Sequence, residues 1–314
     1  MAEINIERYI PERRGAWDEM VSSSRNGTFL FMRGYMDYHA DRFVDHSLMF
    51  TLRGKLMAVL PANEIDSVIW SHQGLTYGGL LVSEYCKGAD VMKIFASLMT
   101  YLKDAEIKKI FYKPIPHIYH SQPSEEELYA LFRNGAHLTG RALSSALSPS
   151  LHTHFCQLRR RCIKKGLDAG VNVCEESDFS AFWEILSANL KDRHNVHPVH
   201  SLAEIMILKS RFPENIRLYT AKICSVTVAG VIVYETAHCA HAQYIAASNK
   251  GRECGALDVI FSHLITSRYR DIPYFDFGIS TESGGILLNL GLLSQKEGFG
   301  AKGIVYDTYE ICID

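Results

Sequence analysis

A carboxylate stands alone in the apolar run Tyr274-Phe275-Asp276-Phe277-Gly278. Placed there, Asp276 is a candidate proton acceptor, or else a buried charge held by backbone donors or a neighbouring arginine. Histidines offer a second route to proton transfer, because an imidazole changes charge near neutral pH. His194, His197 and His200 recur at intervals of three in the Pro-containing stretch 192–200, where they could act as base, as contacts to an acceptor or as metal ligands. The plain alternative is exposed loop histidines with His200 capping a helix; zinc is not expected, since the pattern lacks a fourth ligand. His241, Gln243 and Tyr244 share a strand-like segment, and strict alternation would set His241 and Gln243 on one face and Tyr244 on the other.

Three further stretches could meet a ligand. The turn Ala247-Ser248-Asn249-Lys250-Gly251-Arg252-Glu253-Cys254-Gly255-Ala256 lies between a strand and a helix. Glycines there let backbone N–H groups approach an anion, and the helix N-terminus adds partial positive charge. The stretch 71–79, with His72, Tyr77 and glycines at 74, 78 and 79, could approach an acceptor or form a purely structural turn. Arg159-Arg160-Arg161-Cys162-Ile163-Lys164-Lys165 could touch RNA or lipid phosphates, although such a run is more often a solvated helix face.

Composition narrows the class of protein that holds these residues. The 314 residues are 47% hydrophobic and 22% charged, as in globular chains, which excludes a wholly disordered, collagenous or coiled-coil protein. Lys+Arg 33 against Asp+Glu 35 leaves a net charge of −2 and no global electrostatic pull toward nucleic acid, so no DNA partner is expected. No apolar run is long enough to span a bilayer and the first residues do not resemble a signal peptide, so a soluble, cytoplasmic protein is expected. The eight cysteines form no C-x-x-C pair and are read as reduced thiols.

An internal repeat organises the chain. Residues 4–7 resemble 171–174, residues 17–20 resemble 183–186, residues 88–91 resemble 255–258, and Asn134-Gly135 resembles Glu297-Gly298, all at offsets between 163 and 167. A repeat of half the chain means a duplicated domain, with lobes 1–150 and 151–314, and not a solenoid. In the second lobe the pattern predicts a strand at 171–175, a helix capped by Asp178, and a helix over 200–211 with Ser201 and Glu204 as a capping box. Strands follow at 216–222, 227–235 and 240–247, then a helix from 255, a strand at 274–279, a helix over 285–296 and a strand at 303–311. The first lobe repeats the order, ending with a strand near 141–146, and residues 149–169 connect the two.

This element order resembles the GNAT acyltransferase superfamily, and the duplication resembles its FemAB-like, two-lobed members. Each lobe is then expected to be α/β (α+β), a mixed central sheet flanked by helices, as tandem GNAT-like acyl-CoA N-acyltransferase domains. The turn 247–256 is similar to the family's acyl-CoA pyrophosphate loop, Gln/Arg-x-x-Gly-x-Gly/Ala, through Arg252 and Gly255, with Leu257 departing from the last small position. The run 274–278 resembles the strand that splays away in this fold, and Gln295-Lys296-Glu297-Gly298-Phe299-Gly300 resembles the Phe-Lys-x-x-Phe-Gly ending of FemAB-like lobes. The first lobe has Glu84 and one glycine at the matching turn, so it is expected to lack cofactor binding.

The resemblance implies an N-acyltransferase that moves an acyl group from acetyl-CoA or another acyl-CoA to a small-molecule amine, such as an amino sugar or cell-surface precursor. It places Ala247, Ser248, Asn249, Lys250, Gly251, Arg252, Cys254, Gly255 and Ala256 at the cofactor. His194, His197, His241 and Asp276 are the candidate bases, and Tyr77, His72 and Gln243 the candidate substrate contacts, with Tyr77 and the histidines of 194–197 on an acceptor groove. Two alternatives stand beside it: an aminoacyl-tRNA-dependent transferase, and a non-catalytic binding protein.

Overall fold

The computed structural model describes residues 3–151 and 154–313, and these form two compact units. Unit 1 comprises residues 1–142, 282–287 and 305–314; unit 2 comprises 143–281 and 288–304. The boundary therefore falls at Ala142 and not at 150, and each unit takes in chain from both halves of the sequence.

Unit 2 is built on an antiparallel succession of Asn172–Glu176, Ile216–Ile223, Val226–Glu235 and Cys239–Ala247. These segments are rich in β-branched and aromatic residues, which suit a pleated, half-buried surface. Tyr274–Ile279 then joins Cys239–Ala247 in parallel, and residues 144–147 close the series by pairing antiparallel with Tyr274–Ile279. One face is covered by Ala256–His263: Val231, Val233, Ala240, Ala242, Phe275 and Phe277 share a buried cluster with Phe261 and Phe299. Helix Gln157–Asp168 packs on that helix so closely that a Cβ at Gly166 would lie 2.4 Å from Val259. Helix Ser180–His194 covers the opposite face, with Phe182 lying against Gly230.

Unit 1 holds an antiparallel sheet of Ile4–Arg8, Leu48–Leu52, Lys55–Leu60 and Leu81–Val82. A second group joins Val68–Trp70 and Lys109–Tyr112 in parallel, and residues 309–312 pair antiparallel with Lys109–Tyr112. Helix Gly88–Asp104 buries Val91, Ile94, Phe95, Leu98 and Leu102, the apolar stripe of a 3.6-residue period.

Two expectations are corrected here. The strand near 141–146, expected to complete the first lobe, is part of His137–Leu147, whose last residues pair in unit 2; the C-terminal strand Lys302–Cys312 completes unit 1 instead. The helix expected over 285–296 is observed over Leu290–Glu297: residues 283–285 form a tight turn with positive φ, Leu287–Leu288 is extended, and Asn289 caps the helix. Among the described residues no helix is long and apolar enough to cross a membrane.

Candidate functional site

The parallel ladder between Cys239–Ala247 and Tyr274–Ile279 contains only the pairs Cys239 with Tyr274, Ala240 with Phe275 and His241 with Asp276. Beyond them the two strands part, and the last rung carries the two titratable residues that the sequence singles out. Asp276 is fully buried and accepts three hydrogen bonds. Ser144 Oγ donates to Oδ1 at 2.6 Å, the Gly278 amide donates to the same oxygen at 3.0 Å, and His241 Nδ1 meets Oδ2 at 2.8 Å. With Asp276 ionised, that contact fixes Nδ1 as the donor and makes Nε2 the basic nitrogen of the neutral ring. Gly278 takes φ +79°, which favours glycine, and a Cβ there would stand in ordinary contact with the imidazole, 3.4 Å from His241 Cε1.

A β-bulge changes the facing of the neighbouring side chains. Ile232 pairs with Tyr244 but Val233 with Ala242, so Gln243 is the extra residue. Alternation therefore fails, and Tyr244 falls on the same face as His241, where it packs on Trp183 with ring centroids 5.4 Å apart. The Gln243 carbonyl oxygen Oε1 is buried without a hydrogen-bond partner. His200 is buried against Tyr244 and hydrogen bonds its hydroxyl through Nδ1, so it is not the exposed cap of the next helix. That cap is Ser201, which with Glu204 forms the expected capping box.

The sequence reading missed Ser144 and assigned Lys296 no role. Lys296, buried on helix Leu290–Glu297, donates to the carbonyls of Gly278 and Ile279, both at 2.7 Å, and so pins the backbone just past Asp276. Burial pulls its ammonium down to about 8 from 10.5, with Asp276 acting against the shift. Between those two pH values the unfolded chain holds a proton that the folded one has released, so stability rises with pH there; below pH 8 the cost of burying the charge is fully present. Relative to Lys296→Met, which has nothing to titrate, the unfolding free energy of the wild type should climb by about 3 kcal/mol from pH 8 to 10.5. Denaturant titrations at stepped pH read this directly, and a flat difference would mean the ammonium is not desolvated.

The turn expected to cradle a pyrophosphate is closed. Ser248 caps a short helix, Asn249–Cys254, by accepting from the Gly251 amide, and Gly255 at φ +79° links it to Ala256–His263. Both glycines answer to close backbone packing: a Cβ on Gly251 would lie 2.1 Å from the Val228 carbonyl oxygen, and one on Gly255 2.6 Å from that of Cys162. Arg252 is exposed and folds back along the turn, donating to Ala247 O at 2.6 Å and to Asn189 and Asn249. Asp258, in the first turn of Ala256–His263, is paired with Arg159 at 2.6 Å, so the positive end of that helix already faces a carboxylate. Beside the turn lies a cavity of about 450 Å³ lined by Arg159, Lys165 and Arg252 and by the carboxylates of Glu253 and Asp258, with Gly291 and Gln295 completing the wall.

His197 is exposed in the loop after Ser180–His194, and the side chain of His194 lies outside the described residues. In unit 1, Tyr77 is buried against Phe31 and Tyr119, and His72 is buried beside Phe43 with its imidazole pushed down to about 3 by desolvation. Core packing, not an open acceptor wall, accounts for Tyr77 and His72. Among the described residues no group of histidine, cysteine and carboxylate side chains is placed to hold a metal ion.

Comparison with known proteins shows what the fold is similar to. Residues 157–283 match a family model described as an acetyltransferase (GNAT) domain. A search of curated proteins returns no match. Among solved structures the chain is similar to FemX, at TM-score 0.68 and 11% identity over 98% of this chain and 97% of that one. It is similar to L-PGS from Bacillus licheniformis, at 0.64 and 11% over 98% and 93%. It is also similar to a tandem GNAT protein from the clavulanic acid biosynthesis pathway, at 0.56 and 10% over 99% of both chains. Residues 157–283 thus match a GNAT domain model, and the full length takes the fold of tandem GNAT proteins.

Proposed function

We propose that this protein is an N-acyltransferase that moves an acyl group from an acyl-CoA to an amine, with His241 as the proton acceptor. The observation that carries the reading is the position of the His241–Asp276 pair on the last rung before the strands part. An amine must lose a proton to become a stable amide, and His241 Nε2, held in its tautomer by Asp276, is arranged to take it. As the new C–N bond forms and the C–S bond breaks, the amine proton passes to Nε2 and the electron pair leaves with the thiolate. Past His241 the strand edge has no ladder partner toward Tyr274–Ile279, so its backbone amides are available to polarise the acyl carbonyl. Gln243, with its buried unpartnered oxygen, suits an N–H of the acceptor.

Because the glycines of the turn 247–256 pack against backbone, the cavity beside it, where Lys165 and Arg252 outweigh Glu253 and Arg159 is matched by Asp258, is the better place for the donor's pyrophosphate. Its size is within the range of small-ligand sites. Titration calorimetry with CoA is the test. Lys165→Glu, which puts an anion where a cation lined the cavity, should weaken binding tenfold or more, roughly 1.4 kcal/mol. If a charged tRNA binds while CoA does not, the donor is an aminoacyl ester; if neither binds, the protein is a binding module.

A further inference from the structure

Leu288, Leu290 and Leu292 are 42%, 70% and 36% exposed, and Ile286 and Leu287 just before them in the chain are 86% and 57% exposed. Residues 283–295 contain no charged side chain at all. Scattered exposed leucines need no explanation, but a continuous exposed aliphatic run marks a surface that something covers. The fold offers no reason to hold it out: Asn289 caps Leu290–Glu297 through the Leu292 amide, so the leucines at the start of that helix are presented on an ordered turn.

The neighbouring helix indicates what covers it. Gln157–Asp168 and Leu290–Glu297 face one another across the same cavity, through Arg159, Cys162 and Lys165 on one side and Gly291 and Gln295 on the other. They also touch behind it, where a Cβ on Gly298 would lie 3.1 Å from Arg159 and 3.2 Å from Cys156. Arg160, Arg161 and Lys164 on that helix are exposed, and none of them is joined to a carboxylate among the described residues. An uncharged aliphatic tip next to a helix that carries three cations without carboxylate partners is the two-part pattern of peripheral membrane binding, in which apolar insertion and attraction to anionic headgroups are each weak alone and sufficient together. A soluble protein partner would need no such division of apolar tip from cationic flank.

We infer that unit 2 docks on the surface of an anionic lipid bilayer, with Leu288, Leu290 and Leu292 entering the headgroup boundary and Arg160, Arg161 and Lys164 lying against lipid phosphates. This does not depend on the acyl-transfer reading. Flotation with vesicles of phosphatidylcholine containing roughly a third phosphatidylglycerol tests it on the full chain. The wild type should float with these vesicles, bind pure phosphatidylcholine at least tenfold more weakly, and be released by high salt. Leu290→Glu and the double variant Arg160→Gln/Arg161→Gln should each lower the bound fraction about tenfold while melting at the wild-type temperature, as expected of exposed positions. Leu290→Gln serves if the glutamate variant melts early. The inference is overturned if the wild type does not float, or if the Leu290 variants float as well as the wild type, since headgroup charge or polyanion attraction alone would then suffice. It is also overturned if sedimentation shows a dimer that Leu290→Glu dissociates while flotation is absent, in which case a second copy covers the leucines.

Discussion

His241→Ala should lower the rate of acyl transfer about 100-fold or more, with little change in CoA affinity. General-base assistance is worth roughly 10²–10⁴-fold, and His241 is the imidazole held at the fork by a buried carboxylate. The pH dependence makes the assignment specific. Without a base the enzyme must wait for free amine, so the variant's rate should keep rising with pH until the acceptor itself deprotonates, near 10.4 for a lysine-like amine. Asp276→Asn should cost a comparable factor, because Ser144, Gly278 and His241 all present donors to that side chain and an amide has one oxygen to offer them. Ser144→Ala removes one of three and should cost less. Measured with acetyl-CoA and the acceptor amine, a wild-type rate and pH profile in His241→Ala would rule the base out.

Gly251→Ala should destabilise unit 2 by about 3 kcal/mol, a loss large for a single methyl group. The added carbon would sit 2.1 Å from the Val228 carbonyl oxygen and 2.9 Å from its carbon. Backbone is not the far end of a flexible side chain, so either the helix Asn249–Cys254 or the strand Val226–Glu235 must move. Ser248 ties the two together, through its amide and hydroxyl on that same Val228 carbonyl. A shift of the melting midpoint under 1 °C would show that the contact relaxes freely. Gly255 carries a similar constraint plus a positive φ, so a fall in CoA binding on substituting it would report lost structure before it reported a lost ligand contact.

How much of this was legible depends on how local the cause is. The strand Tyr274–Ile279 and the hairpin Leu48–Leu52 with Lys55–Leu60 follow from alternation and turn residues, and the Ser201–Glu204 box from a four-residue spacing. Asp276 and His241 are visible as polar residues in apolar strands, but that they share a rung depends on a crossover of about thirty residues that no pattern fixes. Ser144 belongs to a strand that pairs 132 residues away from itself in sequence, and its only local signal is a hydroxyl in the run Ala142-Leu143-Ser144-Ser145-Ala146-Leu147. The bulge at Gln243 is a count mismatch between two strands, absent from either strand alone. The glycines of the turn 247–256 suit a phosphate loop or tight packing equally well in sequence; only the nearby Val228 and Cys162 carbonyls distinguish the two.

The crossing of the closing strands bears on how the chain comes to be folded at all. Lys109 and Glu310, which bridge at 3.0 Å in unit 1, are separated by 201 residues. During synthesis the first half emerges with Lys109–Tyr112 as an open edge, and the strand that covers it follows only after residues 113–308 have been made. An N-terminal unit of this kind is not finished first, as in a chain of independent beads. Contacts of such high order slow the search for the native state and hold an unpaired edge in solution while the intervening chain is made. Buried Ile311 gives the late strand an apolar anchor in the waiting core of unit 1. Closure of the first sheet thus waits on the synthesis of residues 309–312, and a ribosome stalled before residue 305 would display a sticky edge rather than a working half.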